Sequence, residues 1–280
     1  MPADASKTFR LYGSCATSRL DSLRARCYVS ATVAPTTRLP SLSAFFPAYN
    51  EEQNVPMMVE RLTAVLPGVA DDYEIIVVDD GSADRTGAVA DEIAARDPHV
   101  RVVHHPTNRG YGGALKSGFA AARKAYVFFT DGDGQFDVGE IECLLPFIPE
   151  YDVVVGYRLD RVEGGLRKLN AAAWNALVHL LFRIPARDVD CAFKLFKREV
   201  FDVVKVEAEG AMISTELLAR SVRAGFRIHE VGVHHYERKH GKPTGANPLV
   251  ILRAFYELFK LYRRITADGA GSAVRRSRSS

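Results

Sequence analysis

"YEIIVVDDGSADRTGAVADEIAARD", residues 73–97, decides the architecture. Its first part, Tyr73 to Asp80, is apolar and rich in β-branched residues, then stops at two aspartates and a Gly-Ser turn. Apolar residues on both faces are what a strand buried in a parallel sheet requires, because helices cover both sides of such a sheet. The second part, Ala83 to Asp97, has helical spacing, with Ser82 or Asp84 suited to cap its start.

The same alternation runs outward in both directions. Upstream, "LSAFFPAY" (42–49) reads as a strand ended by a Pro-containing turn. "VPMMVERLTAVL" (55–66) reads as a helix with Asn54 as its cap and Pro56 in its first turn. Downstream, strands are predicted over 100–105, 126–131 and 151–158, with a helix over 112–125 and a short one over 138–148. A helix over 167–183, a strand and turn over 191–201, a helix over 212–226 and a last strand over 227–239 follow. The pattern closes on an amphipathic helix over 248–265, and no internal repeat is visible. This is an α/β fold with a mostly parallel central sheet and helices on both faces. Such sheets bind ligands at the carboxyl ends of their strands. The polar clusters fall there: Tyr49-Asn50-Glu51, Asp79-Asp80-Gly81-Ser82 and Asp131-Gly132-Asp133.

Composition narrows the class. The chain has 280 residues, 47% hydrophobic and 25% charged, which is ordinary for a globular protein with a real core. A net charge of +3 is too mild to argue for nucleic acid. Cys15, Cys27, Cys143 and Cys191 form no C-x-x-C pair, so free thiols in a reducing cytoplasm are expected. No run approaches the ~18–20 apolar residues of a membrane span, and the N-terminus lacks the apolar core of a secretory signal. Residues 1–40, rich in Ser, Thr and Arg, fit a disordered tail.

Each candidate site has a plainer alternative. Asp80 ends a strand beside a Gly turn, where a carboxylate can accept from a ribose or a base; it could also serve the next helix start. Asp131 and Asp133, with Gly132 between and Gln135 close by, offer two carboxylates and an amide oxygen to Mg²⁺ or Mn²⁺, which bind one or two carboxylates plus substrate phosphates. The alternative is a solvated Gly-rich turn. "NRGYGGALKSG" (108–118) opens a helix with bare amides that favour an anion, but matches neither phosphate-loop signature. Close helix packing through its small residues explains it as well. His234 and His235 point to opposite faces of a strand, which argues against zinc. Arg238 and Lys239 suit a phosphate clamp or a solvated loop.

Seven stretches in order resemble one family: "FFPAYNEEQNV", "YEIIVVDDGSADRT", "NRGYGGALKSG", "FFTDGDGQFD", "VVVGYR", "DVDCAFKLFKREV" and "STELLARSVRAGFRIHEVGV". Together they resemble glycosyltransferase family 2, and within it the polyprenyl and dolichyl-phosphate sugar synthases. The resemblance covers about Leu42 to Arg238. It implies a Rossmann-like nucleotide-diphospho-sugar transferase (GT-A) fold. The expected organisation is a catalytic domain over 41–245, an amphipathic helix over 246–266 and a disordered basic tail over 267–280. By position, Pro47, Tyr49 and Glu51 line the family's nucleotide pocket, and Val78 and Asp80 match its base and ribose contacts. Asp131 and Asp133 match the metal pair, with Gly132 and Gln135 beside them. Arg158 and Arg238 match phosphate-side and acceptor-side arginines, and Asp188 and Glu216 match acidic positions at the acceptor. Two departures stand out: Ala192-Phe193 replaces a Gly-Phe pair, and Gly241-Lys242-Pro243-Thr244 displaces a Ser-Lys.

The function so implied is inverting transfer of mannose or glucose from a nucleotide-sugar donor to a polyprenyl-phosphate acceptor, dependent on Mg²⁺ or Mn²⁺. A phosphate acceptor needs no strong base, whereas a soluble or polysaccharide hydroxyl acceptor would need a carboxylate, for which Asp188 or Asp190 is the candidate. A non-catalytic nucleotide-sugar-binding protein is the third reading. In the last helix, Ile251, Phe255, Leu258, Phe259 and Tyr262 form a stripe near Arg253, Lys260, Arg263 and Arg264. That stripe can lie on a membrane surface or pack on the domain. The expected location is the cytoplasm, peripheral to the cytoplasmic face of the membrane.

Overall fold

A computed structural model describes residues 38–159, 165–208, 210, 212–237 and 255–267, with the backbone alone over 165–173. Seven strands form one sheet in the order β3-β2-β1-β4-β6-β5-β7. They are β1 (Leu39–Ala48), β2 (Ala70–Asp79), β3 (Val100–His104), β4 (Tyr126–Thr130), β5 (Val153–Arg158), β6 (Phe193–Lys197) and β7 (Ile228–Val233). The β1–β2, β2–β3, β1–β4 and β5–β7 pairs are parallel. β6 runs antiparallel between β4 and β5. The expected mostly parallel sheet is therefore present, with one reversed strand that the sequence pattern does not reveal.

The helices are α1 (Asn54–Val69), α2 (Thr86–Ala94), α3 (Gly110–Ala121), α4 (Gly165–Phe182), α5 (Glu199–Val203) and α6 (Ile213–Ala224), followed by α7 over 255–267. Val138–Cys143 is a 3-10 turn rather than an α-helix. α2 starts later than its apolar spacing suggests, and Asp84 accepts from the Thr86 amide at 2.9 Å where it begins. Neither Ser82 nor Asp84 is its cap: Arg85 holds that position, and Asp84 accepts from Thr86 just ahead of it. Asn54 is not the cap of α1; it is the first helical residue, and its side chain donates to Glu51. β7 stops at Val233 because the next amide, that of His234, turns to the Glu140 carboxylate at 2.8 Å. Cys191 is a buried free thiol, as expected, but Cys143 is disulfide-bonded, a correction to the all-thiol reading.

An aromatic cluster fixes α3 against the sheet. Phe119 meets Phe45 at 4.9 Å, Phe129 at 5.6 Å and Phe201 at 4.4 Å between ring centroids. A Cβ on Gly118 would sit 2.2 Å from the Phe45 ring, so only glycine lets the helix approach this closely. Packing is therefore the role of that glycine. Gly110, at the other end of α3, shapes the site instead. At φ +77° it turns the chain so that the helix N-terminus opens at the carboxyl ends of β1, β2 and β4.

Candidate active site

A cavity of about 370 Å³ lies at those strand ends. Pro47, Tyr49 and Glu51 wall it from the exit of β1, Asp80 from β2, and Asp131, Gly132 and Asp133 from β4. Asn108, Gly110 and Tyr111 close it from the start of α3. Seven of the residues singled out from the sequence thus meet in one place.

The turn after β4 is drawn tightly to β1. A Cβ on Gly132 would lie 2.5 Å from the Pro47 carbonyl oxygen and 3.0 Å from Phe46. Asp133 accepts from the Gln135 amide at 3.1 Å, which curls the turn back on itself. Asp131 accepts from the Tyr111 hydroxyl at 3.0 Å. Burial, and then the charge of Asp133, push the Asp131 carboxyl up to about 7. A half-buried pair of neighbouring carboxylates fits a divalent cation, which would add positive charge to that of Lys194 and Arg158 nearby. Among the described residues no group of three His, Cys, Asp or Glu side chains could hold a metal. The pair therefore suits an ion that completes its shell with phosphate oxygens and water.

Other expected members stand differently. Val78 is wholly buried, lies between its parallel neighbours Pro47 and Val103 in the sheet, and is not among the residues that wall the cavity. Gln135 is absent from the cavity wall, and its amide nitrogen donates to the Tyr236 carbonyl at 2.9 Å. Arg158 and Asp188 are joined. The guanidinium donates from Nε at 2.7 Å and from Nη2 at 2.9 Å to the two carboxylate oxygens. Asp188 is 4% exposed and engaged by Arg158 at both carboxylate oxygens. Asp190, by contrast, is exposed. Glu216 is buried and accepts the amides of Glu207 and Ala208 at 3.0 and 2.7 Å while pairing with Arg220. Arg238 lies outside the described residues.

Sequence reasoning missed three residues. Lys194, in register with Phe129 on β4, is fully buried; its ammonium donates to the Cys191 carbonyl and lowers the proton affinity of Asp131. A lysine inside the apolar run "CAFKLF" was the available signal. Tyr111 was hidden among glycines. His105, at the end of "VRVVHH", contacts Asp80.

The Glycosyl transferase family 2 model matches residues 43–204, more than half of the chain. The chain belongs to glycosyl transferase family 2. Polyprenol monophosphomannose synthase of Mycolicibacterium smegmatis is 32% identical over 88% of this chain and 94% of its own length. Undecaprenyl-phosphate mannosyltransferase of Micrococcus luteus is 30% identical over 73% of this chain and 87% of its own. Glycosyltransferase AglD of Haloferax volcanii is 36% identical over 83% of this chain, but the match spans only 41% of AglD. Glucosyl-3-phosphoglycerate synthase of Mycobacterium tuberculosis superposes with a TM-score of 0.58 at 21% identity, over 92% of this chain and 84% of the other. That likeness establishes the Rossmann-like GT-A fold of this family 2 chain.

Proposed function

We propose that this protein transfers a hexose, mannose or glucose, from a nucleoside-diphospho-sugar to a polyprenyl monophosphate. The observation that carries the reading is the Asp131/Asp133 pair, set side by side at the cavity wall, where burial and the charge of Asp133 raise the Asp131 carboxyl. The likeness to the polyprenol monophosphomannose synthase of Mycolicibacterium smegmatis and the undecaprenyl-phosphate mannosyltransferase of Micrococcus luteus supports the polyprenyl acceptor. A solved neighbour holds Mn²⁺ and uridine diphosphate, which supports a divalent cofactor.

In this reading Asp131 and Asp133 hold the cation, which when bound neutralises the diphosphate and the charge growing on the departing nucleotide. Asp80 accepts from the nucleoside. Arg158 is close enough to lower the proton affinity of Asp131, and Asp188, which takes the guanidinium by Nε and Nη2, fixes where that positive charge sits. The acceptor is already an anion near neutral pH, so no residue need remove its proton. The test is transfer of radiolabel from GDP-mannose and from UDP-glucose, each with and without undecaprenyl phosphate. Lipid-bound label that requires Mg²⁺ or Mn²⁺ is the expected result. Label appearing only on a water-soluble hydroxyl acceptor, or none with any donor, would overturn the assignment.

The lipid acceptor requires access to a membrane surface. Among the described residues no helix is long and apolar enough to cross one. α7 divides its apolar residues between two faces. Leu258, Leu261 and Ile265 pack on the domain, while Phe255, Tyr256 and Phe259 are 47%, 69% and 61% exposed beside exposed Lys260 and Arg263. The stripe read from the sequence is therefore split, Leu258 and Tyr262 turning inward and Phe255 and Phe259 outward. Aromatic rings flanked by cations suit a bilayer interface. Replacing Phe255, Tyr256 and Phe259 together by serine is expected to cut co-sedimentation with anionic vesicles by about tenfold or more, since each ring contributes apolar burial. Unchanged co-sedimentation would remove this helix as the contact.

A further inference from the structure

Among the described residues, His105 is the buried imidazole that touches the cavity wall through another residue, and nothing in the proposed reaction uses it. The ring is 7% exposed and follows directly on the end of β3. Its Nδ1 lies 2.5 Å from Asp80 Oδ1, and its Nε2 lies 2.8 Å from the Ser117 hydroxyl on α3. The Arg109 amide donates to the same Asp80 oxygen at 2.9 Å. A carboxylate oxygen only accepts, so Nδ1 carries a proton and donates to Asp80, while Nε2 shares a hydrogen bond with the Ser117 hydroxyl. Asp80 Oδ1 is thereby saturated by two donors. Among the described residues no protein donor reaches Oδ2, although Asp80 forms part of the cavity wall.

The backbone around this contact is equally constrained. The Asp80 amide donates to Ala48, and the His105 amide donates to Asp79, each at 2.9 Å. Gly81, at φ +70°, lets the loop of Thr107 and Asn108 close down; a Cβ there would lie 2.5 Å from the Thr107 carbonyl carbon. Main chain and imidazole together leave the Asp80 carboxylate a single orientation.

We propose that His105 is a positioning residue for the nucleoside half of the donor: it locks Asp80 so that Oδ2 is presented to the nucleoside, and Ser117 in turn locks His105. The inference rests on the functional reading above. The ligand chemistry is a pair of ribose hydroxyls or a ring N–H of the base, either of which donates to a free carboxylate oxygen.

Two near-isosteric variants separate this role from mere packing. His105→Asn places its amide N–H where Nδ1 was and keeps the donor to Asp80. His105→Gln places its amide where Nε2 was, keeping the Ser117 contact and losing the one to Asp80. Binding of GDP, of UDP and of pyrophosphate, each with Mn²⁺, is read by calorimetry, with no turnover needed. His105→Gln is expected to weaken the nucleoside diphosphate that binds wild type by about 10–30-fold, the loss expected when a hydrogen bond to a charged group is removed. His105→Asn should stay within about threefold, and pyrophosphate should be unaffected by either. In turnover, the donor KM should rise with kcat and acceptor KM held. The 2′-deoxy and 3′-deoxy nucleotides then tell ribose from base: if the sugar is the contact, they erase the difference between Gln and wild type.

Equal weakening by both variants, or weakening that extends to pyrophosphate, would overturn the proposal in favour of a packing role. Wild type binding pyrophosphate but neither nucleotide would overturn the functional reading itself. If either variant fails to fold, Ser117→Ala carries the test, with an expected loss of about threefold in nucleotide affinity alone; no loss there counts against the proposal.

Discussion

Asp131→Asn is expected to abolish transfer and, in the metal-free protein, to raise the melting temperature at alkaline pH. The loss of activity should be at least about 10³-fold, since the carboxylate helps to hold the charge that answers the departing nucleotide. The gain in stability follows from linkage. Burial and Asp133 raise the Asp131 carboxyl from 3.8 to about 7. The folded state therefore holds this proton more tightly than the unfolded state does. Its contribution to stability is complete below about pH 4 and disappears as pH rises through about 7. At pH 8 the wild type carries an ionised, poorly compensated carboxylate, a cost of up to about 4 kcal/mol, of which about 2–3 kcal/mol develops between pH 5 and 8. Asparagine has no such dependence. Thermal melts in chelator should show the variant gaining roughly 5–10 °C on the wild type between pH 5 and pH 8. Saturating Mn²⁺ should stabilise the wild type alone and narrow that gap. A variant no more stable at pH 8 than at pH 5 would refute the electrostatic account of the turn.

Gly132→Ala leaves both aspartates in place and is expected to lose about 10²-fold in kcat/KM. The added Cβ would meet the Pro47 carbonyl at 2.5 Å, and neither that strand-end backbone nor the ring of Phe46 can yield cheaply. The turn must move instead, by roughly 1 Å, and a displacement of that size at a reacting centre costs about 10²-fold. The overpacking itself should cost about 1–3 kcal/mol, read as a lower urea midpoint at an unchanged slope. Normal turnover in a folded Gly132→Ala protein would mean that the turn does not carry the catalytic geometry.

The sheet and the location of the site were legible because both rest on local chemistry. Runs such as "YEIIVV" and "YVFF" can be satisfied only between two layers of helices, and acidic residues at their ends have nowhere to go but the crevice. The reversed direction of β6 was not legible, since "FKLF" carries no mark of direction; its partners lie far away in sequence. The pairing of Arg158 with Asp188 was invisible for the same reason as β6: it spans two elements that only the folded sheet brings together. His105 escaped notice because its meaning depends wholly on what Asp80 does. The last helix showed its amphipathic character but not which face turns inward, which is set by the shape of the domain beneath it.

The chain leaving β7 is stitched to the aspartate turn. Gln135 receives the Tyr236 amide on its carbonyl at 2.8 Å and gives its side-chain amide to the Tyr236 carbonyl at 2.9 Å. Phe136 bridges to His235, and Glu140 clasps His234 by ring and by backbone. Three successive residues at the exit of one strand are thus sutured to the stretch just beyond the aspartates. Unzipping either side would unmake the other, so the two rims of the crevice work as one jaw rather than two.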